Sequence, residues 1–381
     1  MRLVYCKNSL GLGAGMERVL CTKVNYFADV PGYEVFIVLT SPIPENLFFQ
    51  FSPTVTILSL DIKASEPKTW QFFFKTKFHK EYERKLNALL LDIRPDVTIS
   101  MFGREILFLH QLNDGSKKVL EFHFSRNYLT HLVEGLPDTK LKWLRKRWVS
   151  LIQYRDRYYS KKYNHIVLLT EKDKQLWQGN DRFSVIPNPL SFVSEEKALL
   201  ENKKILAMGR YIAQKGFDLL IQAFALLKEK FPDWNLFIYG EGPDYDFLSN
   251  KIKELSLKDN VFLKNPVQNV EKIMLDSSLF VFPSRYEGFG LVLTEAMTCG
   301  VPCVSFDCEC GPSDIIQNEV DGFLVEAGNV RLLAEKMELL MQNKELRIEM
   351  GGKAKENVRK FDVPVIMNLW KDYFEQLTRR F

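Results

Sequence analysis

Two stretches of this 381-residue chain carry charged side chains into turns bounded by glycine. The first is Gly209-Arg210-Tyr211-Ile212-Ala213-Gln214-Lys215-Gly216, which follows an apolar run of strand length. Open parallel sheets bind ligands beyond the carboxyl ends of their strands, and Arg210 and Lys215 placed there suit a diphosphate. The plain alternative is a solvated turn, because most exposed charges are only hydrated. The second stretch is Pro283-Ser284-Arg285-Tyr286-Glu287-Gly288-Phe289-Gly290-Leu291-Val292-Leu293-Thr294-Glu295-Ala296, and it shifts the balance toward a ligand. An apolar run delivers Glu287 into a glycine turn, from which it can accept hydrogen bonds from sugar hydroxyls. The backbone N–H groups of Phe289, Gly290 and Leu291 then open a helix whose start favours an anion. Glu295, about one helical turn further on, suits a vicinal diol such as a ribose. If no ligand binds, Glu287 is a charge near a helix N-terminus and Glu295 a surface residue.

Two weaker signals lie in the first half. Gly11-Leu12-Gly13-Ala14-Gly15-Met16-Glu17-Arg18 places glycines between a strand and a helix, where backbone can approach a phosphate or sugar. The spacing is not that of a nicotinamide-binding loop, and the second strand run ends in Leu39-Thr40-Ser41 with no acid to hold a ribose, so a dehydrogenase is disfavoured. A tight turn without ligand stays open for this loop. In Glu121-Phe122-His123-Phe124-Ser125, His123 is expected to end the fifth strand, either as an imidazole offered to a sugar or as a satisfied core histidine. Cys308-Glu309-Cys310 has no second Cys/His cluster nearby, and no metal site is expected there.

These residues need strands to carry them. Apolar runs are predicted as strands at 2–7, 34–40, 55–60, 96–101, 117–124, 165–170 and 183–186, and the rhythm restarts at 204–208, 235–239, 261–263, 279–283, 302–305 and 322–325. Most are continuous rather than alternating, as strands of a parallel sheet covered on both faces must be. Helical periodicity appears between them, for instance Phe217, Leu220, Ile221, Phe224 and Leu227 within a helix predicted over 217–230. Ile186-Pro187-Asn188-Pro189 can continue neither a helix nor a central strand and is read as a linker. The domains expected are 1–190, 191–361, and a helix over 362–381 that packs on the first domain through Ile366, Leu369, Trp370, Tyr373, Phe374 and Leu377.

Composition excludes several classes. An apolar fraction of 46% and a charged fraction of 26% fit a globular protein. No run approaches the ~20 apolar residues of a membrane span, and the first residues are not expected to form a signal peptide. The six cysteines lack CxxC pairing and are expected as buried thiols in a reducing cytoplasm. The net charge of +4 conceals a split: 28 Lys and Arg against 19 Asp and Glu up to residue 190, and 24 against 29 beyond it. Each half is therefore expected to meet a different partner. Lys140 to Lys162 holds nine Lys and Arg against Asp156 alone, interleaved with Trp143, Trp148, Tyr154, Tyr158 and Tyr159. Such a mixture suits an anionic membrane surface. Its alternative is a solvated helix whose aromatics pack inward, and no nucleic-acid-binding motif accompanies it.

The seven residues between Glu287 and Glu295 reproduce the E-x7-E pattern, and the chain resembles the family 4 retaining glycosyltransferases, of the bacterial surface-polysaccharide type, over nearly its full length. Ala14 to Val19 is similar to their glycine loop, Arg210 and Lys215 to their pyrophosphate-binding pair, and His123 to their active-site histidine. The linker and the run from Gly311 to Phe323 also match, although Ala14 replaces a usual glycine and Asp314 a usual glutamate. The resemblance implies an α/β GT-B fold of two facing Rossmann-like doubly wound domains, with the C-terminal helix crossing back. It implies a metal-independent, cofactor-free hexosyltransferase acting by front-face displacement. Arg210, Lys215, Glu287 and His123 would be catalytic, and Gly15, Phe289, Gly290, Leu291 and Glu295 would bind the donor. The partners implied are a nucleotide sugar, UDP-linked by preference, and a glycan or lipid-linked acceptor at the cytoplasmic face of the plasma membrane. A nucleotide-sugar epimerase and an inactive sugar-nucleotide-binding module are the alternatives.

Overall fold

The structure is a computed structural model and describes residues 1–11, 13, 15–66, 75–134, 140–178 and 181–379. Leu12 and Ala14 of the glycine loop, and Arg380 and Phe381 at the end of the predicted C-terminal helix, lie outside the described residues, as do the side chains of Lys140, Leu141 and Lys142. The chain divides into two compact units: residues 1–123, 136–189 and 363–381 form one, and 124–135 with 190–362 form the other. The short segment 124–135, expected within the first domain, therefore belongs with the second unit.

The first unit holds seven parallel strands: β1 (Arg2–Lys7), β2 (Glu34–Leu39), β3 (Val55–Ser59), β4 (Val97–Ser100), β5 (Lys117–Glu121), β6 (His165–Leu168) and β7 (Phe183–Val185). Their order is β3-β2-β1-β4-β5-β6-β7. Central positions such as Val4, Ile99 and Leu120 are fully buried, which explains why these strands read as unbroken apolar runs. β5 ends at Glu121, so His123 stands two residues beyond the strand rather than at its end. The C-terminal helix, Val363–Thr378, packs in this unit, with Phe374 edge-on to Phe27. It buries Ile366, Met367, Trp370 and Phe374, whereas Leu369, predicted on the apolar stripe, is exposed. The buried face runs through Ile366, Met367, Trp370 and Phe374 and leaves Leu369 to one side.

The second unit holds six parallel strands: β8 (Lys204–Met208), β9 (Asn235–Tyr239), β10 (Val261–Lys264), β11 (Leu279–Phe282), β12 (Cys303–Asp307) and β13 (Gly322–Glu326), in the order β10-β9-β8-β11-β12-β13. Phe217, Leu220, Ile221, Phe224 and Leu227 all enter its core, although the helix itself ends at Ala225 and tight turns carry the chain on to Leu227. In both sheets the chain runs outward in one direction and then returns to start on the other side. Strand order reverses between β1 and β4 in the first unit and between β8 and β11 in the second. At such a point two neighbouring strand-to-helix loops diverge and leave a crevice beyond the strands' carboxyl ends.

Candidate active site

The crevice of the second unit is flanked by the loops after β8 and β11, which pair directly through Leu279 with Ile205 and Phe280 with Leu206. These are the two loops that carry Arg210, Lys215 and Glu287. The β8 loop is held from behind by Tyr211. Its buried hydroxyl donates toward the carbonyls of Ile238 (2.9 Å) and Lys264 (2.7 Å), and its backbone N–H donates to the Glu241 carbonyl (2.7 Å). Gly209 turns the chain at φ +153, leaving Arg210 exposed. A short 3-10 turn, Ala213–Lys215, then ends at Gly216 in the left-handed region (φ +63), and the helix Phe217–Ala225 begins.

Lys215 Nζ donates to Glu287 Oε1 at 2.6 Å, and Glu287 is 8% exposed. The two loops are also fastened by a pairing that inspection of the sequence missed. Arg285 grips Asp218 through both terminal nitrogens (2.8 and 2.7 Å) and donates to the carbonyl of Ala213, while Gln214 Nε2 donates to the Tyr286 carbonyl at 3.0 Å. Bidentate hydrogen bonding to Asp218 holds the guanidinium of Arg285 above even its ordinary pKa. Only the position of Arg285 inside the glycine-turn segment marked it beforehand.

Beyond Glu287, Phe289 is buried and Gly290 adopts φ +109, from which the helix Leu291–Thr298 starts. Gly311 closes on this turn so tightly that a Cβ there would fall 1.9 Å from the Phe289 carbonyl oxygen. Glu295 is buried inside the helix, not on a surface. A second unforeseen group gathers at Glu309, after β12. Asn127 Nδ2 donates to its Oε1 at 2.5 Å, His131 Nε2 lies 2.9 Å from Oε2, and the His131 ring stacks on Tyr286 with centroids 5.1 Å apart. Burial pushes the Glu309 carboxyl up, but His131 and Asn127 outweigh it and hold the carboxyl below its usual value.

The other predicted residues lie in the first unit. Gly15 begins the helix Gly15–Ala28, and in the same loop the Gly11 N–H donates to the buried Glu17 at 2.7 Å. His123 is buried, its Nε2 3.2 Å from Glu121 Oε1. All six cysteines are free and buried, and among the described residues no group of three or more His, Cys, Asp and Glu is arranged to hold a metal ion.

Comparison with known proteins matches residues 192–357 to the family model described as glycosyl transferases group 1. An uncharacterized glycosyltransferase of Haemophilus influenzae is 31% identical over 370 residues, covering 95% of this chain and 97% of that protein. The poly(ribitol-phosphate) alpha-N-acetylglucosaminyltransferase of Staphylococcus aureus is 34% identical over 217 residues, 56% of this chain and 44% of that enzyme. The crystal structure of TarM superposes with a TM-score of 0.77 over 98% of both chains at 19% identity, a likeness of fold alone. The chain therefore belongs to the group 1 glycosyl transferases, family 4-like glycosyltransferases of GT-B fold.

Proposed function

We propose that the chain transfers a hexose or N-acetylhexosamine from a UDP-sugar to a glycan or lipid-linked sugar acceptor, with retention of anomeric configuration. The observation that carries this reading is the Lys215–Glu287 contact at the strand-order reversal. A cation for a diphosphate and a carboxylate for sugar hydroxyls stand there one hydrogen bond apart.

In this reaction the bond between the anomeric carbon and the diphosphate oxygen breaks, and the acceptor oxygen bonds to that carbon on the same face. The acceptor's proton passes to the departing phosphate, so no protein nucleophile is required. Arg210 and Lys215 offset the charge that grows on the leaving oxygen. Glu287 orients the sugar instead of attacking it, which distinguishes it from the nucleophilic carboxylate of a retaining glycosidase. Phe289, Gly290 and Leu291 offer N–H groups to the phosphates, Glu295 holds the ribose, and Gly15 and His123 complete donor binding. Two cations with a helix start replace a divalent metal in this scheme.

Thermal unfolding with UDP-, GDP- and ADP-sugars tests the donor, since a ligand that binds only the folded state raises the melting temperature. Anomeric analysis of the product by NMR tests retention, and inversion would overturn the mechanism. Turnover abolished by a chelator and restored by added metal would overturn metal independence. Interconversion of the donor sugar without transfer or hydrolysis would instead identify an epimerase.

A further inference from the structure

Arg285 takes no part in the proposed reaction, although it stands two residues before Glu287. Its guanidinium reaches back to the β8 loop. Nη1 donates to the Ala213 carbonyl (2.6 Å) and to Asp218 Oδ1 (2.8 Å), and Nη2 donates to Asp218 Oδ2 (2.7 Å). The Arg285 backbone N–H donates to the Gln214 carbonyl at 2.8 Å, and Gln214 Nε2 returns a bond to the Tyr286 carbonyl at 3.0 Å. Residues 213, 214 and 218 are thus tied to residues 285 and 286. Lys215 lies inside this bracket, and its own side chain is kept for the site.

The stem of Lys215 has little freedom left. It crosses Gly209, where a Cβ would lie 3.2 Å from its Cδ and Cε, and its ammonium is 5.5 Å from the Phe282 ring centroid. The place of Nζ therefore follows from the place of the backbone over 213–218, and Arg285 holds that backbone at both ends. A charge-stabilising donor acts fully only when its position is set before the charge develops. Displacement by about 1 Å costs on the order of 100-fold in rate. A planar guanidinium suits the task better than an ammonium would, because two parallel bonds to one carboxylate fix direction as well as distance. Asp218 lies in the first turn of the helix Phe217–Ala225, so the same grip aligns that helix start with the Lys215 turn.

We propose that Arg285 and Asp218 are positioning residues for Lys215: their clasp sets the β8 loop against the β11 loop and holds Nζ where the diphosphate leaves. This rests on the role proposed for Lys215.

The test uses the full chain and follows release of UDP from UDP-GlcNAc and UDP-glucose in single turnovers with enzyme in excess. Arg285→Lys keeps the charge and loses the fork. It is expected to slow release roughly 10- to 100-fold, with an unfolding midpoint near that of the parent. In a Lys215→Ala background the same substitution should slow release less than about 3-fold, because the group it positions is gone; residues that act through one another are not additive. Asp218→Asn keeps the shape of the carboxylate and should reproduce both results, which preserves the comparison if Arg285→Lys does not fold. Parental release in either folded variant ends the proposal. Equal slowing with and without Lys215 also ends it, since the clasp would then act on the fold or on another group. Lys215→Ala separates this failure from that of the underlying reading. If Lys215→Ala is slow while Arg285→Lys is parental, the positioning role alone is lost. If Lys215→Ala releases UDP at the parental rate, or the parent releases none, the role of Lys215 is withdrawn and this proposal with it.

Discussion

Gly216 approaches Pro283 so closely that a Cβ on Gly216 would lie 2.0 Å from the Pro283 carbonyl oxygen. The contact joins the end of the Lys215 turn to the residue that follows β11, so the spacing of the two site loops is set by a backbone that admits no side chain. Gly216→Ala adds this clash to the strain of a left-handed φ, about 1 to 2 kcal/mol by itself. We expect denaturant unfolding to show a loss of roughly 3 kcal/mol or more for Gly216→Ala, strain and overpacking together. Gly32→Ala is the control, having φ +87 and nothing within 4 Å, and should lose only the strain. Equal losses in the two variants would show that the loops readjust freely.

Lys215 and Arg210 are assigned to the leaving group and Glu287 to the sugar. Lys215→Ala and Arg210→Ala should each lower turnover by roughly 100- to 1000-fold, the usual cost of one charge-stabilising donor, with the fold kept. Lys215→Ala also removes the partner of a mostly buried carboxylate, so its unfolding midpoint should fall more than that of the exposed Arg210. Calorimetry separates the acids: Glu287→Gln should leave binding of free UDP largely intact, and Glu295→Gln should weaken it. The same loss in both would remove the division of labour between them.

Sequence and structure agree most closely in the strands. All thirteen were legible because a strand buried on both faces must be an unbroken apolar run, and the glycine turns marked where those runs deliver polar side chains. Pairings over long sequence separations were not legible. Nothing local to Lys23 distinguishes it from a hydrated helix charge, and its partner Glu121 is a neighbour only because β5 reaches the sheet's interior. The same holds for Arg285 with Asp218, 67 residues apart, and for Asn127 with Glu309, 182 residues apart. Leu369 was placed on the wrong face because helical periodicity gives the width of an apolar stripe more securely than its centre.

His79 supplies a pH dependence unconnected with the site. It sits in the first turn of the helix Lys77–Ile93, where its Nδ1 accepts from the Thr76 N–H at 3.2 Å. Burial, with Arg104, Arg155 and Lys75 nearby, lowers this imidazole to about 4. Because the folded value lies below the unfolded one, the unfolded chain takes up the proton first. Stability should be unaffected above about pH 6.5 and should fall as the pH drops from there toward 4. Glu121 acts in a lower window, its folded value of about 2 lying below the ordinary 4.5. Its stabilising share is present above about pH 4.5 and is lost as the pH falls toward 2. Denaturant midpoints at several pH values should therefore show a flatter profile between pH 6.5 and 4 for His79→Gln, which accepts the same N–H without titrating. Parallel profiles would place the acid sensitivity elsewhere.

The helix Lys140–Ser160 carries the remaining prediction. Its inward face is formed by Val149, Ile152 and Asp156, with Tyr159 packed against the first unit's core. Trp143, Tyr154 and Tyr158 do not pack inward as the alternative required: they are 58%, 72% and 50% exposed, with Leu144 and Leu151 similarly open. Arg145, Lys146 and Arg147 are exposed among them, and the Arg147 guanidinium lies 5.2 Å from the Trp143 ring centroid. Among the described residues no helix is long and apolar enough to cross a membrane. Exposed aromatics beside cations nevertheless suit the boundary between anionic head groups and acyl chains. We therefore expect peripheral binding to the cytoplasmic leaflet, where a lipid-linked acceptor would be met. In co-sedimentation with liposomes, binding should rise with the fraction of anionic lipid and fall with salt, each Lys or Arg near the surface contributing about 1 kcal/mol. Replacing Arg145, Lys146 and Arg147 by Glu should lower binding to anionic vesicles at least 100-fold on that scale, with the unfolding midpoint little changed because all three are exposed. Trp143→Ala with Tyr154→Ala should weaken binding even at high salt, since their contribution is apolar burial and is not screened. Equal binding to neutral and anionic vesicles, or indifference to the triple substitution, would reduce this helix to an ordinary surface element.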